Sequence, residues 1–406
     1  MLLEALTLQL GYNATLVAIG AALLGIAAGA SGTFLFLRKR ALVSDAISHS
    51  TLPGVALAFL VMVAFGSDGR HLGGLLIGAG LSAAVGLLGM HWLTRRTRLA
   101  EDAAIGAVLS VFFGFGVVLL TVIQTVSAGR PAGLENFLVG STAGMLYADA
   151  MLIAVAGALA VLAVWVLRRP MTLVAFDAGF AAAAGINVQR MDLAVMGLVT
   201  AVTVIGLKIV GLILIVALLI IPPVAARFWS NRSDRVLGIA GVFGGLSGYI
   251  GAAVSATAPA LPTGPIIVLT AFGLFVISML FAPDRGLLAV WMRHRRQQRR
   301  IHLRQGLLAM AQDLPIYERY TLRLLVKAGL ARPDGVPTES GRRRAAKARR
   351  DEARWAVARW MHAHEAVVSR YDGLRPIEAV LTADEIREID RRISAVQEEG
   401  FREGFA

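Results

Sequence analysis

The sequence predicts an all-α, polytopic helical membrane protein of about nine transmembrane helices, with eight as the alternative count, followed by a helical, water-soluble extension. Three observations lead there. The 406 residues are 56% hydrophobic and only 17% charged, against about 25% charged for an ordinary soluble domain. The mean hydropathy is +0.67. The charge is unevenly divided: residues 1–283 carry 15 Lys and Arg against 10 Asp and Glu, and residues 284–406 carry 25 against 17. The chain therefore reads as an apolar domain over 1–283 and a charged one over 284–406. A single soluble enzyme domain, a secreted disulfide scaffold and a disordered chain are all excluded. With no Cys in the chain, thiolate metal sites and cysteine nucleophiles are excluded as well.

A helix crossing the hydrocarbon needs roughly 20 apolar residues. Such runs lie at about 14–37, 42–65, 72–93, 103–126, 148–167, 236–256 and 265–282. The start, Met1-Leu2-Leu3-Glu4, has no basic segment, so the first apolar helix is expected to stay in the membrane rather than be cleaved off. One further run, 192–228, is too long for one crossing, ~55 Å as a single helix. Lys208, between Gly206 and Gly211, divides it into spans at about 192–207 and 209–227. The basic clusters support the split. Arg38-Lys39-Arg40, Arg95-Arg96 with Arg98, Arg168-Arg169, Arg227 with Arg232 and Arg235, and the run from Arg293 to Arg300 all fall on one side with nine spans. Excess Arg and Lys marks the cytoplasmic side, which puts the N-terminus outside and the tail inside and makes the net charge of +13 independent of nucleic acid. The segment 133–147 is too short and polar to cross and reads as a surface or re-entrant helix. Abundant glycine within the spans, such as Gly25, Gly29 and Gly32, points to closely packed helices.

Several chemistries are missing. None of the four lysines follows a glycine, so there is no Walker A motif and any ATP-driven function must borrow its ATPase. No nucleophile elbow or zinc-protease helix occurs either, and no catalytic residue is assigned. Ionisable residues inside spans are costly and default to functional candidates. Asp102, Asp149 and Asp192 stand at span starts, where capping is the simpler reading. Asp45 and His49 are four apart on one helix face, within Ser44-Asp45-Ala46-Ile47-Ser48-His49-Ser50-Thr51-Leu52-Pro53-Gly54. A carboxylate and an imidazole together suit Mn²⁺, Fe²⁺ or Zn²⁺ as ligands. The competing reading is a local pair that merely orients the helix. Asp45 lies only five residues past Arg40, about 7.5 Å along a regular helix. The chain before Asp45 is therefore expected to be non-helical and to dip inward, lining a cavity.

The stretch Arg38 to Ala58 closely resembles the second-helix signature of the bacterial ABC-type manganese/zinc/iron import permeases, the ABC-3 family. The likeness continues in order with Glu101-Asp102-Ala103-Ala104-Ile105-Gly106, Phe137-Leu138-Val139-Gly140, Val210 to Ala226 with its Ile221-Pro222-Pro223, and Leu261-Pro262-Thr263-Gly264-Pro265. The resemblance implies a permease subunit of an importer that moves a divalent transition metal ion, Mn²⁺, Fe²⁺ or Zn²⁺, across the bacterial cytoplasmic (inner) membrane. It also implies the partners: a second permease subunit, identical or paralogous, two ABC ATPase subunits and an extracytoplasmic metal-binding protein. No permanently bound cofactor is implied. Phe176-Asp177-Ala178-Gly179-Phe180-Ala181, running on to Gly185, resembles the family's ATPase-coupling helix, which usually reads Asp-Pro-Glu-Phe-Ala. Ala178 and Gly179 replace Pro and Glu, so a less rigid start and one fewer charge contact are expected.

Two other functions compete. One is an ion-coupled secondary metal transporter, whose usual internal repeat is not visible here. The other is a membrane-anchored, metal-responsive regulator. The tail has helices expected at 303–313 and 316–329, an Asp334-Gly335 turn, a start at Thr338-Glu339-Ser340-Gly341 leading through ~364, and a capping box at Thr382-Ala383-Asp384-Glu385. It faintly resembles the winged-helix part of DtxR-like metal-dependent repressors. Only one helix precedes the wing-like turn, where a helix-turn-helix needs two, so no nucleic-acid partner is expected. His362 and His364 point to different sides of a helix. The basic run at Arg293–Arg300 reads as a contact to anionic membrane lipid.

Overall fold

The computed structural model describes residues 11–403 apart from 68–70, 126–144, 259–260, 362–373 and 375, together with Glu4, Thr7 and Gln9. The Phe137–Gly140 element, nearly all of segment 133–147, and His362 and His364 lie outside the described residues. The chain divides into two compact units, Met1–Ala289 and Val290–Ala406.

The first unit is built from α1 (Tyr12–Leu37), α2 (Leu42–Ala64), α3 (Leu72–Arg96), α4 (Glu101–Thr125), α5 (Tyr147–Phe176), the short α6 (Ala178–Ala183), α7 (Val188–Trp229), α8 (Ser233–Ser255) and α9 (Thr263–Phe281). Among the described residues, eight helices are long and apolar enough to cross a membrane, with Val188–Leu207 one of them and Ile213–Trp229 a shorter apolar helix beside it. Helices are what an apolar medium enforces, because each satisfies its own backbone N–H and C=O groups. The long run breaks at Gly211, with φ 78° and ψ 171°, rather than at Lys208. Such a φ is open to glycine and costly for any residue with a Cβ. Helix α5 runs to Phe176, beyond the expected end at 167. Hydropathy marks where the apolar run stops, whereas the helix continues because Met171 and Val174 are buried.

Two crossings organise the bundle. Helices α1 and α8 form the most extensive pair. A Cβ on Gly25 would overlap the carbonyl of Gly244, and one on Gly244 would overlap that of Gly25; Gly29 meets Ala240 and Gly248 meets Ala21 in the same way. The backbones touch, and dispersion contact replaces the hydrophobic effect that lipid cannot supply. Helix α2 packs against α3, α4 and α7, with Gly54 against the backbone of Gly78. Leu24, Ile47, Phe59, Ile153, Leu214 and Leu218 fill the space between the helices, fully buried.

The second unit takes most of α10 (Leu287–Ala311), then α11 (Arg319–Lys327), α12 (Glu339–Met361), a 3₁₀ turn (Ile377–Ala379) and α13 (Ala383–Glu403). Helix α10 starts well before the expected 303, so the basic run Arg293–Arg300 is helical throughout. One helix, α11, separates α10 from the turn at Gly335, which is flanked by the bridge Ala331–Pro337. Thr338 Oγ1 accepts from Gly341 N at 3.1 Å and starts α12. Thr382 and Glu385 form the reciprocal capping box, Thr382 N to Glu385 Oε2 at 2.6 Å. Trp355, Ile377, Leu381 and Ile389 make a small core, beside which Arg354 holds Asp390 with two bonds of 2.7 Å. Burial, and then the neighbouring Glu378, push the Asp351 carboxyl up from the ordinary range.

The α1–α8 crossing gives a direct test. Gly244→Leu forces the two backbones apart and should cost about 3 kcal/mol or more, the upper range of overpacking. Gly238→Leu on the same helix, where a Cβ meets nothing within 4 Å, should leave the bundle intact. Thermal melting in detergent, read as loss of the monodisperse species, separates the two.

Candidate metal site on helix α2

Helix α2 carries an unusual load for a bundle interior. Ser44, Ser48, Ser50 and Thr51 are buried along it. Each hydroxyl bonds back to its own helix: Ser44 to Ala41 O at 2.7 Å, Ser48 to Ser44 O at 2.8 Å, Ser50 to Ala46 O at 2.7 Å and Thr51 to Ser48 O at 2.6 Å. This satisfies the donors without a second helix and leaves the hydroxyl oxygens' lone pairs. Pro53 stands inside the helix. It supplies no N–H to the carbonyl of His49, four residues before it, and so releases an acceptor at that point. Gly116 of α4 lets that helix approach Leu52 and Pro53 closely.

Asp45 and His49 share this helix face, with His49 Nε2 3.5 Å from Asp45 Oδ1. The His49 side chain is 20% exposed and that of Asp45 36%. The imidazole meets the ring of Phe113 edge-on, with centroids 5.0 Å apart. Its Nδ1 is buried without a hydrogen-bond partner, an uncommon and costly state for a ring nitrogen. A carboxylate oxygen, an imidazole nitrogen and a released carbonyl, all electron-pair donors, stand on this one helix. Among the described residues, no three His, Asp or Glu side chains gather as a metal site within one chain.

The backbone before Asp45 differs from the expectation. Only a tight turn over Arg38–Ala41 is non-helical, with Lys39 at φ 59°, and α2 is helical from Leu42. Asp45 thus lies in the first turn of α2, near the arginine-rich end of the bundle, rather than on a strand dipping inward. The turn is tight because its arginines are anchored. Arg38 grips Asp192 of α7 with both carboxylate oxygens, at 2.6 and 2.7 Å, and donates to Val174 O at 2.7 Å. Arg40 reaches Asp192 at 3.2 Å and Glu101 of α4 at 2.6 Å. Asp192 is therefore a tertiary ion-pair partner and not a helix cap; the cap of α7 is Asn187, whose side chain accepts from Arg190 N at 3.0 Å. Sequence reasoning missed this cluster, since Asp192 is more than 150 residues from Arg38 and Arg40 and no local spacing connects them. Asp149 is nearer to its expected role, accepting from Leu146 N at 3.1 Å in the first turn of α5.

The Phe176–Gly185 stretch folds as a helix–turn unit. Asp177 caps α6 by accepting from Phe180 N at 2.8 Å. Ala178 and Gly179 form the first turn of α6, Ala181 is its one buried residue, and Gly185 ends the unit at φ 83°. Phe176 and Phe180 are left about 60% exposed, at 61% and 60%.

A helical bundle with, among the described residues, eight helices long and apolar enough to cross a membrane defines a polytopic helical membrane protein. The chain belongs to the ABC 3 transport family, whose model matches residues 12–282. It is 42% identical over 318 residues to the manganese transport system membrane protein MntC of Bacillus subtilis, covering 78% of this chain and 71% of that one. It is 39% identical over 285 residues to the zinc transport system membrane protein TroC of Treponema pallidum, covering 70% and 94%. The solved structure of PsaBC from Streptococcus pneumoniae in complex with Fab aligns with a TM-score of 0.61 and 30% identity over 71% of this chain and 99% of that one.

The arginine anchor is testable separately from any metal. Asp192→Ala leaves Arg38 and Arg40 short of a carboxylate in a poorly solvated place. The cost should be about 2 kcal/mol, between that of exposed and fully buried pairs, and larger than for Asp45→Ala, as read by thermal melting of the purified protein.

Proposed function

We propose that this protein is the permease subunit of an ABC importer that carries a divalent transition metal ion, Mn²⁺, Zn²⁺ or Fe²⁺, into the cytoplasm of a bacterium. The observation that carries this reading is the buried, unpartnered Nδ1 of His49 beside Asp45 in a chain of this family. Two relatives are named for manganese and zinc transport, and these metals share a preference for imidazole with carboxylate. In the proposed arrangement, Asp45 and His49 from each of two permease subunits, identical or paralogous, meet near the dimer axis. They give two carboxylates and two imidazoles, with carbonyl or hydroxyl oxygens completing the shell. Coordination shared with water allows release, which a closed structural site does not.

ATP is hydrolysed by a separate pair of ATPase subunits, and an extracytoplasmic metal-binding protein delivers the ion. The exposed Phe176 and Phe180 on and beside α6 form the contact through which the ATPase moves the bundle, with Asp177, Ala178, Gly179, Ala181 and Gly185 setting its shape. Residues 1–283 are the permease proper, in the cytoplasmic membrane, and 284–406 a cytoplasmic extension.

Two experiments test this. Asp45→Ala and His49→Ala should each reduce uptake of radiolabelled manganese or zinc at least tenfold while the complex still assembles and hydrolyses ATP. Normal uptake by both variants would leave the pair as a helix-orienting contact only. Truncation after Arg285 should give a permease that still inserts and still co-purifies with its ATPase; failure of either would make the extension part of the permease.

A further inference from the structure

A groove of about 430 Å³ lies between α1, α5 and α8, away from α2 and its ligands. Its walls are apolar: Ile26 of α1, Val161 and Val164 of α5, and Leu237 and Val242 of α8. It exists because two residues of α8 lack side chains. A Cβ on Gly238 would meet nothing within 4 Å, and one on Gly241 would only graze Ile26 at 3.8 Å. The polar groups collect at one end. Arg168 lies over the Trp165 ring, 4.5 Å from its centroid, and its Nε is 3.9 Å from Asp234 Oδ1. From Asp234 to Val242 the groove follows α8 for about 12 Å.

We propose that this groove binds one anionic phospholipid, with an acyl chain along Gly238 and Gly241 and the phosphate at Arg168. The polarity matches a lipid of one leaflet: Asp234 stands in the first turn of α8 and Arg168 at the end of the apolar run of α5, with hydrocarbon walls beyond them. An aromatic ring paired with a guanidinium at that level is an interfacial anchor. Asp234, 69% exposed at its side chain, holds Arg168 only loosely, so guanidinium donors remain for a phosphate. The volume suits a chain rather than a headgroup, which leaves the headgroup beside Arg168. A zwitterionic lipid matches the walls equally well but gains less from the mouth, about fivefold per basic residue engaged.

The test uses the full-length protein in bilayer nanodiscs containing brominated phosphatidylglycerol or brominated phosphatidylcholine. The quenching assigned to Trp165 is the difference between wild type and Trp165→Phe. The glycerol lipid should quench with about fivefold higher relative affinity than the choline lipid. Arg168→Gln should bring that ratio to about one, and Gly238→Leu, which fills the groove, should do the same with Arg168 in place. A ratio near one in wild type overturns the proposal, as does a ratio unchanged in both variants. Trp165 shielded from both lipids would also overturn it, since the groove would then be covered by another protein surface. None of these readings depends on metal transport.

Discussion

Everything in the membrane-length part of this molecule accommodates one constraint: a polar helix, α2, has to be buried among apolar ones. Its serines and threonine satisfy themselves by bonding back to their own helix. Helix α3 comes close enough for backbone contact at Gly54 and Gly78, and α4 does so at Gly116. On α2 itself the His49 Nδ1 is buried without a hydrogen-bond partner, while Asp45, one turn before it, keeps a side chain 36% exposed.

The same logic governs the arginine-rich end. Arg38 and Arg40 stand just before α2 and would sit poorly at an apolar boundary by themselves. Asp192 and Glu101, from α7 and α4, neutralise them. The pairs tie the start of α2 to two other helices, so the position of Asp45 depends on residues far from it in the chain. Helix α6, with its exposed phenylalanines, follows directly on the end of α5.

The soluble unit obeys ordinary rules by contrast. Its cores are small, α12 and α13 start at the side-chain caps Thr338 and Thr382, and its ion pairs are mostly exposed. Its Asp351 is the exception, a carboxyl that burial, and then Glu378, push up from the ordinary range. Among the described residues, α11 alone stands between α10 and the turn at Gly335.

Much was legible from residues alone, because hydropathy and spacing are local. The helical membrane class, the two-part charge division, the i,i+4 placement of Asp45 and His49, the short helix after Asp177 and the cap at Thr382 all follow from nearest neighbours along the chain. Three things did not. The break in the long run moved from Lys208 to Gly211, because a lysine signals polarity whereas only a glycine takes the positive φ at low cost. The turn before Asp45 closed up rather than dipping inward, and Asp192 proved to be a partner of Arg38 and not a cap. Periodicity records which face of a helix is apolar, but not which other helix meets it. Only the tertiary structure brings residues 38, 40, 101 and 192 together, since the energy of an ion pair depends on distance and burial in space and leaves no trace in local sequence.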